Sequence, residues 1–389
     1  MTENLNHDRW LADIRSRVGE VAASEASTRQ RGGALLIDVR EDSERATGTP
    51  DGALGLSRGF LELRIEQAEP DRQREILVLC GSGQRSLLAA EALQRMGYRR
   101  VSSVAGGMGA WKAAGLPVTA GVLDSDAAER YARQVLLPQV GEAGQAKLGA
   151  ARVVVIGAGG LGAPVLLYLA AAGLGHITLI DDDRVERSNL HRQVIHADSR
   201  VGLGKAESSR MTLAALNPRV RVEVVTDRLR AGNVETLIRD HDVVIDGADN
   251  FATRYLLAAA TRRIGIPMVY AAIERFTGQA SVFDPRREDS PCYRCLFPEP
   301  PSAADAPNCS EAGVLGVLPG LVGMVQATEA LKLLLGIGQP LVGRLLTYDA
   351  LAMRFREFTL HRDPHCPGCG AEARFDGYAD LERLCAATG

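Results

Sequence analysis

The sequence predicts two successive α/β units, the second built on a doubly wound, largely parallel sheet. Three observations lead there. Short apolar strands alternate with helical stretches along the chain, the pattern of sheets covered by helices. A glycine turn, Gly157-Ala-Gly159-Gly160-Leu-Gly162, directly follows a β-branched apolar run at 153–156 and opens a helical segment. Residues 118–125, after Gly115-Leu-Pro117, are small and polar enough to be a connector, which places the units at 1–119 and 120–389.

In the first unit, apolar runs at 34–39, 76–79 and 101–104 read as strands, and 89–96 and 110–114 read as helices. The second opens with a helical 127–139 and continues through strands at 153–156, 177–180, 220–225, 243–245 and 268–271. Helical segments separate most of these strands, hence the parallel sheet. The proline-rich 297–307 reads as a mobile loop, and 314–335 as a mostly buried helix. Residues 153–175 carry no charge over 23 positions, enough on paper to span a bilayer. Four glycines interrupt their first half and only 163–172 reads as helix, so this is a strand, a turn and a buried helix.

The chain has 389 residues, 46% of them hydrophobic, which suffices for full cores. A formal charge of −3, from 45 basic and 48 acidic residues, gives no global field favouring nucleic acid or an anionic membrane. The Met1 region lacks the apolar core of a signal peptide, and the seven cysteines include two Cys-x-x-Cys pairs. The expected setting is a reducing cytoplasm, with cysteines serving metal and sulfur chemistry. No internal repeat is present.

Cys80 ends the strand at 76–79, and a helix starts near Ser86. Its sulfur is thus expected at a helix N-terminus within a ring of backbone N–H groups, which favours a thiolate. Gly81 and Gly83 let the loop curl, and Arg85 supplies a positive charge. A phosphatase loop would separate Cys and Arg by five residues, whereas four stand between them here. Asp38-Val-Arg40-Glu41, Gly52-Ala53, the Cys80 loop, Gly106-Gly107, Trp111 and Gly115-Leu116-Pro117 resemble the rhodanese family over about residues 8–119. The resemblance implies a persulfide on Cys80. Gly48-Thr-Pro50-Asp departs from the family's Gly-His-Ile-Pro, a change in a structural turn.

In the second unit Asp181 stands 24 residues after Gly157 at the end of the next strand, where a carboxylate can bond ribose hydroxyls. An NAD-dependent oxidoreductase would share these features. Asn189-Leu-His-Arg192-Gln193 and Lys205 add cationic groups beyond the needs of a pyrophosphate bridge, as a triphosphate requires. Asp246, Asp249 and Asn250 follow the strand at 243–245, and Asp249 can hold Mg²⁺. Arg130-Tyr131-Ala-Arg133-Gln134, Asn189 to Gln193, Ala248-Asp249-Asn250 and Cys292-Tyr-Arg-Cys295 resemble the MoeB/ThiF adenylyltransferases, relatives of ubiquitin-activating enzymes, over about residues 126–370. The resemblance implies a Rossmann-like domain that binds ATP and Mg²⁺ through Gly157, Gly159, Gly160, Gly162, Asp181, Asn189, Arg192, Gln193, Lys205, Asp249 and Asn250. It also implies a homodimer, in which Arg133 reaches the phosphates of the partner subunit.

Cys292-x-x-Cys295 and Cys366-x-x-Cys369 can meet as a tetrahedral Zn²⁺ site, structural because four thiolates leave no open position. His361 and His365 flank the second pair as alternative ligands. Cys309 occupies a position where members of the family often carry a cysteine used in sulfur transfer; Cys385 has no assigned role.

Together the two resemblances imply ATP-dependent adenylation of the C-terminal glycine of a small β-grasp sulfur carrier ending in Gly-Gly. Sulfur from Cys80, directly or through Cys309, then yields a thiocarboxylate, with thiosulfate or a cysteine desulfurase persulfide as donor. Molybdopterin synthesis is the expected pathway. The alternatives are ubiquitin-type thioester formation, although no separate catalytic-cysteine domain is evident, and an NAD-dependent Rossmann oxidoreductase, which leaves Arg192 and Lys205 unexplained. Eukaryotic fusions of this kind place the rhodanese last, and here it comes first.

Overall fold

The computed structural model describes residues 7–45, 48–119, 121–299 and 313–378. The chain divides by its contacts into two compact units, residues 1–143 and 144–389.

The first unit contains β1 (Gly19–Val21), β2 (Leu35–Asp38), β3 (Thr49–Pro50), β4 (Leu54–Gly55), β5 (Glu75–Leu79), β6 (Arg100–Val104) and β7 (Val118–Thr119). Its main sheet has the order β1-β6-β5-β2-β4 with every pairing parallel. A sheet covered on both faces needs strands that are apolar at every position, and β5 shows why 76–79 has no polar alternation. Ile76 and Val78 pack with Ile14, Ile37 and Leu87 on one face. Leu77 and Leu79 pack with Leu36, Met108 and Trp111 on the other. Burying one such side chain contributes roughly 1.5–3 kcal/mol. The helices His7–Arg17 and Ala23–Arg31, unrecognised in the sequence, cover these faces; they are arginine-rich and weakly apolar.

The expected helix 127–139 is two short helices, Ser125–Arg130 and Ala132–Val135, separated by Tyr131 at φ −101°, ψ 13°. Asp124 caps the first by accepting from Ala127 N–H at 2.9 Å. A glycine-containing helix, Gly141–Ala150, then follows where the composition argues against one.

The second unit is an eight-stranded sheet, β10-β9-β8-β11-β12-β13-β14-β15. It comprises β8 (Arg152–Ile156), β9 (His176–Ile180), β10 (Arg221–Val225), β11 (Val243–Asp246), β12 (Met268–Glu274), β13 (Thr277–Phe283), β14 (Arg344–Asp349) and β15 (Arg354–Thr359). The five strands expected from the sequence are mutually parallel, and the last three add an antiparallel extension that the sequence reading did not include. Strand order reverses between β8 and β11, where Ile156 pairs with Asp246. A crevice therefore opens at the carboxyl ends of these two strands.

The helix Gly162–Ala171 follows the glycine turn, so the uncharged 153–175 is indeed strand, turn and buried helix. Val317–Leu335 is long and apolar enough by composition to cross a membrane. It packs on Gly162–Ala171 and on β11, β12 and β13, and its buried Gln326 donates to Asp246 O at 2.7 Å. That polar tether belongs to a core helix.

Candidate active sites: a nucleotide crevice, a cysteine loop and a thiol clamp

The crevice encloses about 280 Å³ and is lined by Gly157, Gly159, Gly160, Asp181, Arg192, Gln193, Lys205, Asp249 and Asn250 among the residues singled out from the sequence. Backbone proximity dictates two of the glycines. Gly157 has φ +90°, and a Cβ there would lie 2.9 Å from Gly247 O. At Gly162, which supports the turn from behind, a Cβ would lie 1.9 Å from Gly157 O.

Asp181 accepts from Ala158 N–H at 2.7 Å and from Asp183 N–H at 2.9 Å. Burial pushes its pKa upward, with these bonds opposing the shift. Lys205 is buried except for its contact with Asp183, whose Oδ2 lies 2.7 Å from Nζ. Asn189 does not line the crevice; its Oδ1 accepts from Arg192 Nη2 at 2.5 Å and so orients that guanidinium. Asn250 caps the helix Phe251–Ile264 through Thr253 N–H at 2.9 Å, leaving the adjacent Asp249 at the helix start. Arg133 lies in Ala132–Val135, within the first compact unit, and is not among the lining residues.

Arg254 lines the crevice and stands 3.5 Å from the buried Asp246, a pairing not foreseen from the sequence. The signal was an arginine four residues beyond a capping asparagine, in the first turns of the helix Phe251–Ile264. Asp246 is fully buried, and desolvation raises its pKa to about 6 against the pull of Arg254. Arg228 and Asp227 also join the wall unforeseen. Gln193 Oε1 is buried without a hydrogen-bond partner among the described residues, and it lines the crevice. An orphaned acceptor, backbone amides of Gly159 and Gly160, and cations opposite carboxylates suit a polyphosphate nucleotide.

In the first unit Cys80 follows β5 directly and is fully buried. Gly83 N–H donates to its Sγ at 3.1 Å, and Gly83 itself, at φ 98°, starts the helix Gln84–Arg95. A second loop closes over the first: Met108 N–H donates to Cys80 O at 2.7 Å, and a Cβ on Gly107 would lie 2.2 Å from that oxygen. Arg85 is half-buried and carries its charge into a two-pronged pair with Glu44, both contacts at 2.6 Å. The hydrogen bonds from Arg85 hold the Glu44 carboxyl below its usual pKa. Asp38 and Arg40 form a buried pair at 2.6 Å that ties the neighbouring loop to Gly48 O.

The Sγ atoms of Cys292, Cys295, Cys366 and Cys369 all lie within 4.8 Å of one another, with Cys292 to Cys366 at 3.6 Å and Cys295 to Cys369 at 3.3 Å. Tetrahedral Zn–S bonds of about 2.3 Å require S···S distances of about 3.8 Å, so the cluster fits a four-thiolate metal. Backbone N–H groups of Gly368 and Asp363 point at Cys366 and Cys295, at 3.3 and 3.5 Å. His361 and His365 are exposed and outside the cluster, so the four-cysteine set needs no substitute. Cys309 and Cys385 lie outside the described residues.

Fold and sites together define an α/β protein with a crevice suited to a nucleotide, a four-thiol cluster that could hold a metal, and a separate cysteine loop. Residues 131–368 match the model of the ThiF family, and 22–114 match that of the Rhodanese-like domain. The chain belongs to the ThiF family of adenylyltransferases, which use ATP, and carries a rhodanese-like domain ahead of it. A "Sulfur carrier protein adenylyltransferase" of Thermus thermophilus is 52% identical over 260 residues, 66% of this chain and 96% of that protein. A "SAMP-activating enzyme E1" of Haloferax volcanii is 51% identical over 67% of this chain and 95% of its own. A "Probable adenylyltransferase/sulfurtransferase MoeZ" of Mycobacterium tuberculosis is 47% identical over 68% of this chain and 67% of its own. Among solved structures, E. coli MccB with ATP shares the fold at a TM-score of 0.55 and 22% identity, covering 62% of this chain and 74% of that one.

Proposed function

We propose that this protein adenylates the C-terminal glycine of a small β-grasp sulfur carrier ending in Gly-Gly, and then replaces AMP by sulfur held on Cys80. The observation that carries this reading is the presence, in one chain, of the Arg192, Lys205 and Asp249 crevice and the Cys80 loop. High identity to an enzyme named for a sulfur carrier supports it.

Asp181 takes the ribose hydroxyls, Gly159 and Gly160 amides with Arg192 and Lys205 take the phosphates, and Gln193 and Asn250 complete the wall. Lys205 must exchange Asp183 for a phosphate oxygen as ATP enters. Asp249 would hold Mg²⁺, which supplies charge neutralisation for the departing pyrophosphate. The carrier carboxylate attacks the α-phosphorus and pyrophosphate leaves, giving an acyl-adenylate. The terminal sulfur of a Cys80 persulfide then attacks the acyl carbon and AMP leaves. A thiol, Cys309 or a small-molecule reductant, cleaves the resulting acyl disulfide by attacking the Cys80 sulfur, which releases the thiocarboxylate and leaves a disulfide to be reduced. Cys292, Cys295, Cys366 and Cys369 hold Zn²⁺ structurally.

Residues 1–119 and 120–389 serve as the functional sulfurtransferase and adenylyltransferase domains. The enzyme works as a cytoplasmic homodimer in which Arg133 reaches the partner subunit's phosphates. Thiosulfate or a cysteine desulfurase persulfide loads Cys80, and molybdopterin synthesis is the pathway favoured. Mass spectrometry of candidate carriers, incubated with enzyme, ATP and donor, tests the reading. One oxygen at the carrier C-terminus should be replaced by sulfur, and AMP without thiocarboxylate from every candidate would reject the sulfur step.

A further inference from the structure

The glycine turn is held by two side chains that grip one residue, Ala158: Asp181 in the crevice wall, and His196, which does not line the crevice. Ala158 N–H donates to Asp181 Oδ2 at 2.7 Å, and its carbonyl oxygen lies 3.1 Å from His196 Nε2. A carbonyl only accepts, so Nε2 carries the proton. Nδ1, 3.0 Å from Ser208 Oγ, then accepts the hydroxyl proton in the neutral ring. Burial pushes the His196 pKa down to about 4, so this tautomer persists at neutral pH.

A trans peptide points its C=O and the following N–H in opposite directions, and the chain contains no cis peptide among the described residues. Turning Ala158 O toward His196 therefore turns Gly159 N–H away from it. Gly159 and Gly160 line the crevice and Ala158 does not. Gly159 N–H has no hydrogen-bond partner among the described residues, so it is available to an anion.

We propose that His196 is a positioning residue for the nucleotide: by donating from Nε2 to Ala158 O it aims the Gly159 amide at a phosphate oxygen of ATP, and Ser208 holds the ring at that angle. The proposal rests on the ATP reading of the crevice. It contrasts with a ring that only fills space, which any side chain of similar length could replace.

His196→Gln keeps an N–H donor at about the same reach, and His196→Met keeps the length without the donor. ATP affinity is measured by calorimetry on the full chain, alongside KM for ATP and for carrier in pyrophosphate exchange. The Met variant should bind ATP roughly tenfold more weakly, with KM for carrier unchanged, while the Gln variant stays within about threefold of wild type. A Met variant that binds ATP as wild type does, or a Gln variant as weak as Met, overturns the proposal. If the Met chain does not fold, Ser208→Ala, which keeps the ring but frees its orientation, makes the comparison: weaker ATP binding supports the proposal and unchanged binding overturns it. A wild-type chain that binds no ATP at all removes the crevice reading, and the proposal with it.

Discussion

Glu44 grips both arms of the Arg85 guanidinium at 2.6 Å, so the charge expected beside the Cys80 sulfur is already engaged by a carboxylate. The pair lies over the loop: a Cβ on Gly81 would be 3.3 Å from Arg85 Nη2 and 3.6 Å from Glu44 Oε1. An anionic sulfur donor must compete with Glu44 for Arg85. Glu44→Gln should therefore raise kcat/KM for thiosulfate by about two- to fivefold, the range of a partly exposed ion pair. Steady-state kinetics that show a lower value would mean that Glu44 serves the loop rather than competes with the donor.

Asp249→Ala should reduce carrier-dependent ATP–pyrophosphate exchange by roughly 10²–10³, the usual cost of losing one group that stabilises developing charge. Because Asp249 stands outside the core, zinc content and melting temperature should stay at wild-type values. Mixing these chains with inactive Arg133→Ala chains should restore part of the exchange, since each dimer can then assemble one complete site. Complementation that fails in a demonstrated mixed dimer would remove Arg133 from the partner's crevice.

The two chemistries should separate. Cys80→Ser removes the sulfur nucleophile, because a serine alkoxide is inaccessible at neutral pH, and should abolish sulfur transfer while leaving pyrophosphate exchange within about twofold of wild type. Loss of both activities in a variant of normal melting temperature would contradict two independent sites.

Cys369→Ser removes one of four clustered thiols that could hold a metal, and the free energy of metal binding at a site of this kind is coupled to folding. Metal analysis should find one zinc per wild-type chain and less in the variant, and the melting temperature should fall by about 10 °C or more, the shift expected for about 3–4 kcal/mol. A metal-free wild-type protein of full stability would end the structural-zinc assignment.

Asp246 gives a pH signature. Its folded pKa, about 6, lies above its ordinary 3.8, so the folded chain holds this proton more tightly than the unfolded one. The stabilisation is complete below about pH 4 and is lost as pH rises through 6. Asp246→Asn cannot ionise, so its urea-derived stability relative to wild type should rise by roughly 2–3 kcal/mol between pH 4 and pH 7. A difference that stays flat over that interval would mean that Arg254 keeps Asp246 ionised throughout.

The parallel strands and the glycine turn were legible because each is local: a β-branched run and a turn that admits no Cβ declare themselves within a few residues. The cysteine clamp was legible for the same reason, since Cys-x-x-Cys spacing survives without knowledge of the fold. The antiparallel extension was not. β15 is exposed along its whole length, and Arg354-Phe-Arg-Glu-Phe-Thr359 carries no apolar face that a burial pattern could mark. The helix Gly141–Ala150 ran against its own glycine content.

By itself the sequence determined the residue types that chemistry needs: a thiol before a glycine loop, carboxylates and bases after strand ends, and four thiols in two pairs. Tertiary structure alone decided who holds whom. Arg85 is taken by Glu44, 41 positions away; Lys205 by Asp183; and the Ala158 carbonyl by His196, 38 positions on. Such partnerships depend on which strand ends the sheet order places side by side. That order follows from burying both faces of the sheet at once, a property of the whole chain that no short stretch of residues contains.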